Sequence, residues 1–168
     1  MKLSRSSILF AIVAVALLSS LPGTIERLVR TGDPYLFTKQ FFQDMLARLT
    51  GPGKFRFILQ PAMAIIIGVR QGVKDAHANL PPFLWGLVFH ALYRRHALRT
   101  AFAGVRDLIA IAILLDMISQ ALIFREVHPG AAVLLGPVLI AVPYSVARSL
   151  ANRIARLRRP PATAAGSV

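Results

Sequence analysis

The chain has 168 residues, of which 55% are hydrophobic, 16% are charged and none is cysteine, and its net charge is +13 at neutral pH. A mean hydropathy of +0.60 leaves too little polar surface for a soluble domain of this size, whose surface-to-volume ratio is high. The lack of cysteine excludes disulfide frameworks and thiol chemistry; the basic residues gather at the ends of apolar blocks, which fits anionic lipid head groups rather than nucleic acid.

The opening "MKLSRSSILFAIVAVALLSSLPG" places Lys2 and Arg5 before an apolar run from Ile8 to Leu18. It predicts a first span over about 8–22, retained rather than cleaved as a signal, because "ALLSSLPG" offers no clear A-x-A site. Residues 33–50 read as an interfacial amphipathic helix. Asp33 would be its N-cap, Pro34 its first helical position and Gly51-Pro52-Gly53 its stop. Phe37, Phe41, Met45, Leu46 and Leu49 fall on one side of it, with Lys39, Gln43 and Arg48 largely on the other.

A second span is expected over 55–73, interrupted at Gln60-Pro61, where the proline removes an amide donor. "PPFLWGLVFHALY" (81–93) is too short to cross about 30 Å of hydrocarbon, so it reads as a re-entrant or surface helix. The remaining spans are 108–124 and 131–147. The last continues into a basic amphipathic segment, "RSLANRIARLRRPP", and 160–168 is a flexible tail. The expected fold is therefore an all-α integral membrane protein. It is one membrane domain over 1–159, with four transmembrane helices and two interfacial or re-entrant ones.

The charges set the expected orientation. With both termini cytoplasmic, thirteen of the twenty Lys and Arg residues lie inside. Those outside, such as Arg27, Arg48 and Arg56, are diluted by Glu26, Asp33, Asp44 and Glu126.

Asp116 stands in the middle of "IAILLDMISQALIF". Ten Leu, Ile and Phe residues in that span offset its insertion cost of about 3 kcal/mol. Ser119 and Gln120 share its helix face, and that face should look into the bundle. Arg106 is about 15 Å away along the axis, and no basic residue lies at the same depth in any expected span. The carboxyl is thus expected to be neutral, donating to the Leu139 carbonyl that Pro143 frees, with Gln120 or Gln60 completing the network.

His77, His90, His96 and His128 have no metal-ligand spacing, Asp107 and Asp116 are too far apart to share an ion, and no nucleotide or nucleophile motif occurs. No cofactor, metal or catalytic set is expected. Arg70, Lys74, Arg94, Arg95, Arg99, Arg148, Arg153, Arg156, Arg158 and Arg159 are the expected lipid head-group contacts.

The run "FRFILQPAMAIIIGVRQGVKDAHANLPPFLW" together with "PYSVARSLANRI" is similar to a family of small uncharacterised bacterial inner-membrane proteins, over about residues 55–155. The resemblance implies a bacterial inner membrane and brings no activity. The leading expectation is a non-enzymatic scaffold or accessory subunit that contacts anionic lipid, a membrane-protein partner or a second copy. The alternatives are an oligomeric proton- or cation-coupled transporter using Asp116 and an enzyme acting on lipid phosphates through the basic cluster at 70–77.

Overall fold

A computed structural model describes residues 4–32, 35–51 and 54–158. Six helices follow one another: α1 (Arg5–Thr31), α2 (Lys39–Thr50), α3 (Arg56–His77), α4 (Phe83–Phe89), α5 (Ala91–Phe124) and α6 (Pro129–Leu157). No strand occurs among the described residues. Three helices, α1, α5 and α6, are long and apolar enough to cross a membrane, which makes the chain an all-helical membrane protein. The expected span over 55–73 becomes α3, a continuous helix of 22 residues with Pro61 inside it, yet it is not among those three.

Helix ends differ from expectation for local reasons. α1 runs through Pro22 to Thr31 and stops at Gly32, which takes the left-handed conformation (φ 72°) and donates its N–H to the Leu28 carbonyl. Around the proline, the hydroxyls of Ser19, Ser20 and Thr24 donate back to the carbonyls of Ala16, Leu17 and Ser20. Such bonds engage backbone acceptors in the turns beside a proline and ease its accommodation within an apolar helix.

α2 starts at Lys39, capped by Thr38, whose hydroxyl accepts from the Phe41 N–H at 3.3 Å. The helix therefore begins later than the expected 33. Asp33, Pro34, Pro52 and Gly53 lie outside the described residues, as do Lys2, Arg159 and the 160–168 tail.

The segment expected as one unit over 81–93 is broken. α4 has only seven residues and ends at His90, whose extended backbone (φ −122°, ψ 90°) separates it from α5. α5 then runs 34 residues, so the arginines at 94, 95, 99 and 106 ride on a helix and not in a loop. Arg125 adopts a left-handed φ of 58° immediately after it, and its N–H bonds the Ala121 carbonyl. Pro129 occupies the first position of α6, where its missing N–H costs nothing. That helix continues unbroken through Pro137 and Pro143 into the basic segment.

The chain divides into two compact units, residues 1–62 with 105–141 and residues 63–104 with 142–168. In the first, Val13, Ala110, Ile113, Met117 and Ala132 form an apolar core. There Gly136 lets α6 approach α5: a Cβ at that position would stand 3.1 Å from the Ile113 backbone nitrogen.

The second unit has a core of small residues, including Ala64, Ala76, Ala97, Ala147 and Ala151, around Phe83 and Tyr144. Gly68 and Gly72, one turn apart on α3, face Ala147 and Ala151, one turn apart on α6. This is the small-xxx-small contact by which helices in lipid gain close backbone packing without a hydrophobic driving force. A Cβ on Gly68 would come within 2.6 Å of the Tyr144 carbonyl oxygen, a backbone atom that cannot swing aside.

Gly68→Ala is expected to destabilise the fold by about 1–3 kcal/mol through overpacking. Gly23→Ala, where nothing lies within 4 Å, should be neutral or slightly stabilising because it removes a helix-interior glycine. Denaturant titration of both variants in detergent checks the pair.

Candidate functional site

Each unit is organised around a buried aspartate and the arginine side chains that reach it. In the first, α5 carries Asp116 at 2% exposure. Its Oδ1 is ion-paired with Arg56 Nη2 at the start of α3, and its Oδ2 lies 3.6 Å from Arg48 Nη1 on α2. Gln120, four residues along α5, donates to Oδ2 at 2.6 Å and accepts the His128 backbone N–H through Oε1 at 2.7 Å. The side chain of Gln120 thus joins the carboxylate to the segment that leads into α6.

These contacts overturn the expectation that Asp116 has no basic partner. Two guanidinium groups, which do not deprotonate in proteins, face its carboxyl. Among the described residues its partners are Arg56, Arg48 and Gln120, and the Leu139 carbonyl is not one of them. The expectation failed because Arg48 read as the polar face of an interfacial helix and Arg56 as a charge flanking the second span. Arg56 opens α3, and Arg48 turns inward from α2. The apolar face of α2 is partly inverted as a result. Phe41 and Arg48 are buried, while Phe37, Leu46 and Leu49 are exposed. Ser119 and Gln60 are also buried, so the four expected network residues all lie in the interior, with only Asp116 and Gln120 joined directly.

Toward the end of α1, Arg27 clamps the same unit. It donates to Glu126 Oε2 at 2.8 Å, to His128 Nε2 at 2.6 Å and to Gln40 Oε1 at 2.6 Å. His128 stacks on Tyr35 with ring centroids 3.6 Å apart. Tyr35 in turn donates to Asp44 at 2.7 Å and accepts from Arg48 at 3.1 Å. Because Nε2 accepts from Arg27, the imidazole is neutral with its proton on Nδ1. Burial and then the Arg27 charge push the His128 pKa down, while burial and the Asp44 hydrogen bond push the Tyr35 pKa up. A groove of about 800 Å³, lined in part by Ser20, Thr24, Arg27, Gln40 and His128, opens onto this clamp.

In the second unit Asp75 of α3 is 2% exposed and Arg148 of α6 is 1% exposed. Arg148 Nε donates to Asp75 Oδ2 at 2.6 Å and Nη2 to Oδ1 at 3.1 Å, a bidentate pair. The same guanidinium donates to Tyr144 at 3.0 Å and to Thr100 at 3.3 Å, and its Cζ lies 4.5 Å from the centroid of the Phe83 ring. One side chain therefore links α3, α4, α5 and α6. Arg148 had been expected at lipid head groups, and it is instead a buried node. Asp75 was missed altogether, because it is a lone acid in a run of cations; that isolation was the available signal.

The other expected head-group residues, Arg70, Lys74, Arg94, Arg95, Arg99, Arg153, Arg156 and Arg158, are exposed. Two of them also serve the fold. Arg94 donates to the Leu87 carbonyl at the end of α4, and Arg156 to the Leu80 carbonyl. Among the described residues, no three His, Asp or Glu side chains gather closely enough to hold a metal ion.

Compared with protein-family models, curated proteins and solved structures, the chain matches none.

Asp116→Asn tests the buried ion pair. Removing one partner of such a pair costs about 3–5 kcal/mol, and a loss of that size is expected in denaturant titration. His128 sets a separate pH response. Its folded pKa lies below the ordinary value near 6.5, so its contribution is full above about pH 6.5 and is lost as pH falls through the folded pKa. The thermal midpoint should therefore drop between pH 7.5 and 5.5, and less so in His128→Gln.

Proposed function

We propose that the chain is a non-enzymatic scaffold or accessory subunit of a bacterial inner membrane, with both termini cytoplasmic, that gathers anionic lipid around its second unit. One observation carries this reading. Among the described residues of that unit, eight Lys and Arg side chains are exposed, and the lone acid, Asp75, is buried against Arg148. Each exposed cation near a membrane surface contributes about 1 kcal/mol toward anionic lipid, and no exposed acid competes for it there.

The shape of the unit supports the same reading. An apolar groove of about 900 Å³ on α3 and α6 is lined by Val69, Val73, Val146, Leu150 and Ile154, with His77 and Arg158 also in its lining. An acyl chain fits the apolar part, and an anionic head group would meet the cation. The transporter alternative has less support, because Asp116 is held between two arginines. The lipid-phosphate enzyme has less again, because the acid within the 70–77 cluster is already engaged by Arg148.

The test is lipid selectivity of the full chain. In mixed phosphatidylcholine and phosphatidylglycerol bilayers, spin-labelled phosphatidylglycerol should be enriched at the protein. The variant with Arg94, Arg95, Arg99, Arg153 and Arg158 all changed to Gln should lose most of that enrichment while Arg148 remains intact. Equal association of the two lipids with the wild type would overturn the proposal. Crosslinking in native membranes, followed by isolation of one recurrent membrane partner, would assign the accessory role.

A further inference from the structure

The first unit holds a polar cluster whose hydrogen-bond inventory does not balance. Arg48, Arg56 and Gln60 are 1%, 6% and 4% exposed. Gln60 stands one turn along α3 from Arg56 and so shares its face. Arg48 uses Nη2 on the Tyr35 hydroxyl, but its Nε and Nη1 are shielded from solvent without a hydrogen-bond partner. The same holds for Nε and Nη1 of Arg56 and for both ends of the Gln60 amide. Buried polar groups in this condition cost about 1–3 kcal/mol each, more when charged.

The acceptors present fall short of that demand. Asp116 Oδ2 accepts from Gln120 and lies 3.6 Å from Arg48 Nη1, and Oδ1 faces Arg56. Asp44 reaches Arg48 only through the Tyr35 hydroxyl, and Glu126 is engaged by Arg27. Within Arg48, Arg56 and Gln60 the unmet groups are N–H donors apart from the Gln60 carbonyl oxygen, and Asp116 Oδ1 has Arg56 as its ion-pair partner. Water can meet some of these donors through its lone pairs but adds two donors of its own and no charge. An anion brings acceptors alone. Charge points the same way, since two guanidinium groups share one carboxylate in the interior, and aromatic rings flank them. Arg48 lies 5.6 Å from the Phe124 ring centroid and Arg56 4.7 Å from that of Phe57. A low-dielectric setting strengthens attraction for a counter-charge.

We infer that Arg48, Arg56 and Gln60, beside Asp116, form a binding site for a small monovalent anion of halide or nitrate size. The enclosure of the donors excludes a lipid phosphate with its chains, so this site is independent of the head-group contacts in the second unit.

The experiment uses the full chain purified in a neutral detergent, with sodium gluconate, chloride, bromide, nitrate and sulfate compared at constant ionic strength. Chloride, bromide and nitrate should raise the unfolding midpoint saturably over gluconate and sulfate. Broadening of the ³⁵Cl resonance by the protein should be reversed by bromide. Arg56→Gln also breaks the ion pair and can fail to fold, so Gln60→Leu, which keeps both arginines and Asp116, is the informative variant. It should weaken half-saturation by about tenfold, the worth of one charge-assisted hydrogen bond. The five-arginine variant of the second unit should retain the full halide response. Equal midpoints in all salts with no broadening would overturn the inference. So would an unchanged halide affinity in Gln60→Leu, or its loss in the five-arginine variant.

Discussion

A buried carboxylate in a helical membrane protein must be met by something, and here arginine meets it in both units. The constraint is electrostatic before it is a matter of packing. An isolated charge in a low-dielectric interior is costly, so the helix bearing Asp116 and the helix bearing Asp75 are stable only where Arg48, Arg56 and Arg148 arrive from elsewhere in the chain. Ion pairs of this kind add little net stability over apolar residues of the same shape, but breaking one is severe. They act chiefly to specify which helices meet and at what depth.

The small-residue contact between α3 and α6 works in concert with the Asp75–Arg148 pair. Gly68 and Gly72 allow the backbones to close on Ala147 and Ala151, and Arg148 lies between those two alanines in sequence. Close approach brings the guanidinium to the carboxylate, and the pair holds the helices at the register where the glycines fit. The remaining bonds of Arg148, to Tyr144 and Thr100, satisfy donors that would otherwise be stranded.

Much of the fold was legible in the sequence, and the parts that were not share one cause. Apolar block length marked α1, α5 and α6 as membrane-crossing candidates, and the 3.6-residue period put Asp116, Ser119 and Gln120 on one inward face. Long-range pairing was not legible. Arg48 and Arg56 sit beside turn residues and mimic flanking charges, while Arg148 follows an apolar run and mimics a positive-inside marker. Nothing local distinguishes an arginine that snorkels to a head group from one that folds back onto an acid. Composition gave the second unit its basic surface, but only the structure separates the eight exposed cations from the buried one. Amphipathic reasoning failed on α2 because it assumes water on one side, and there polar groups turn inward.

α1 is attached in a particular way. Of its 27 residues only Val13 is buried, while polar contacts hold it near both ends: Ser6 to Asp107, and Arg27 to Glu126, His128 and Gln40. A helix fastened so has little shape for selection to preserve on its outer face. Over evolutionary time the apolar residues there, away from Val13 and its neighbours Leu9, Ala16 and Leu17, are free to drift among Leu, Ile, Val, Phe and Ala. Arg27 and its partners, by contrast, would have to change together or not at all.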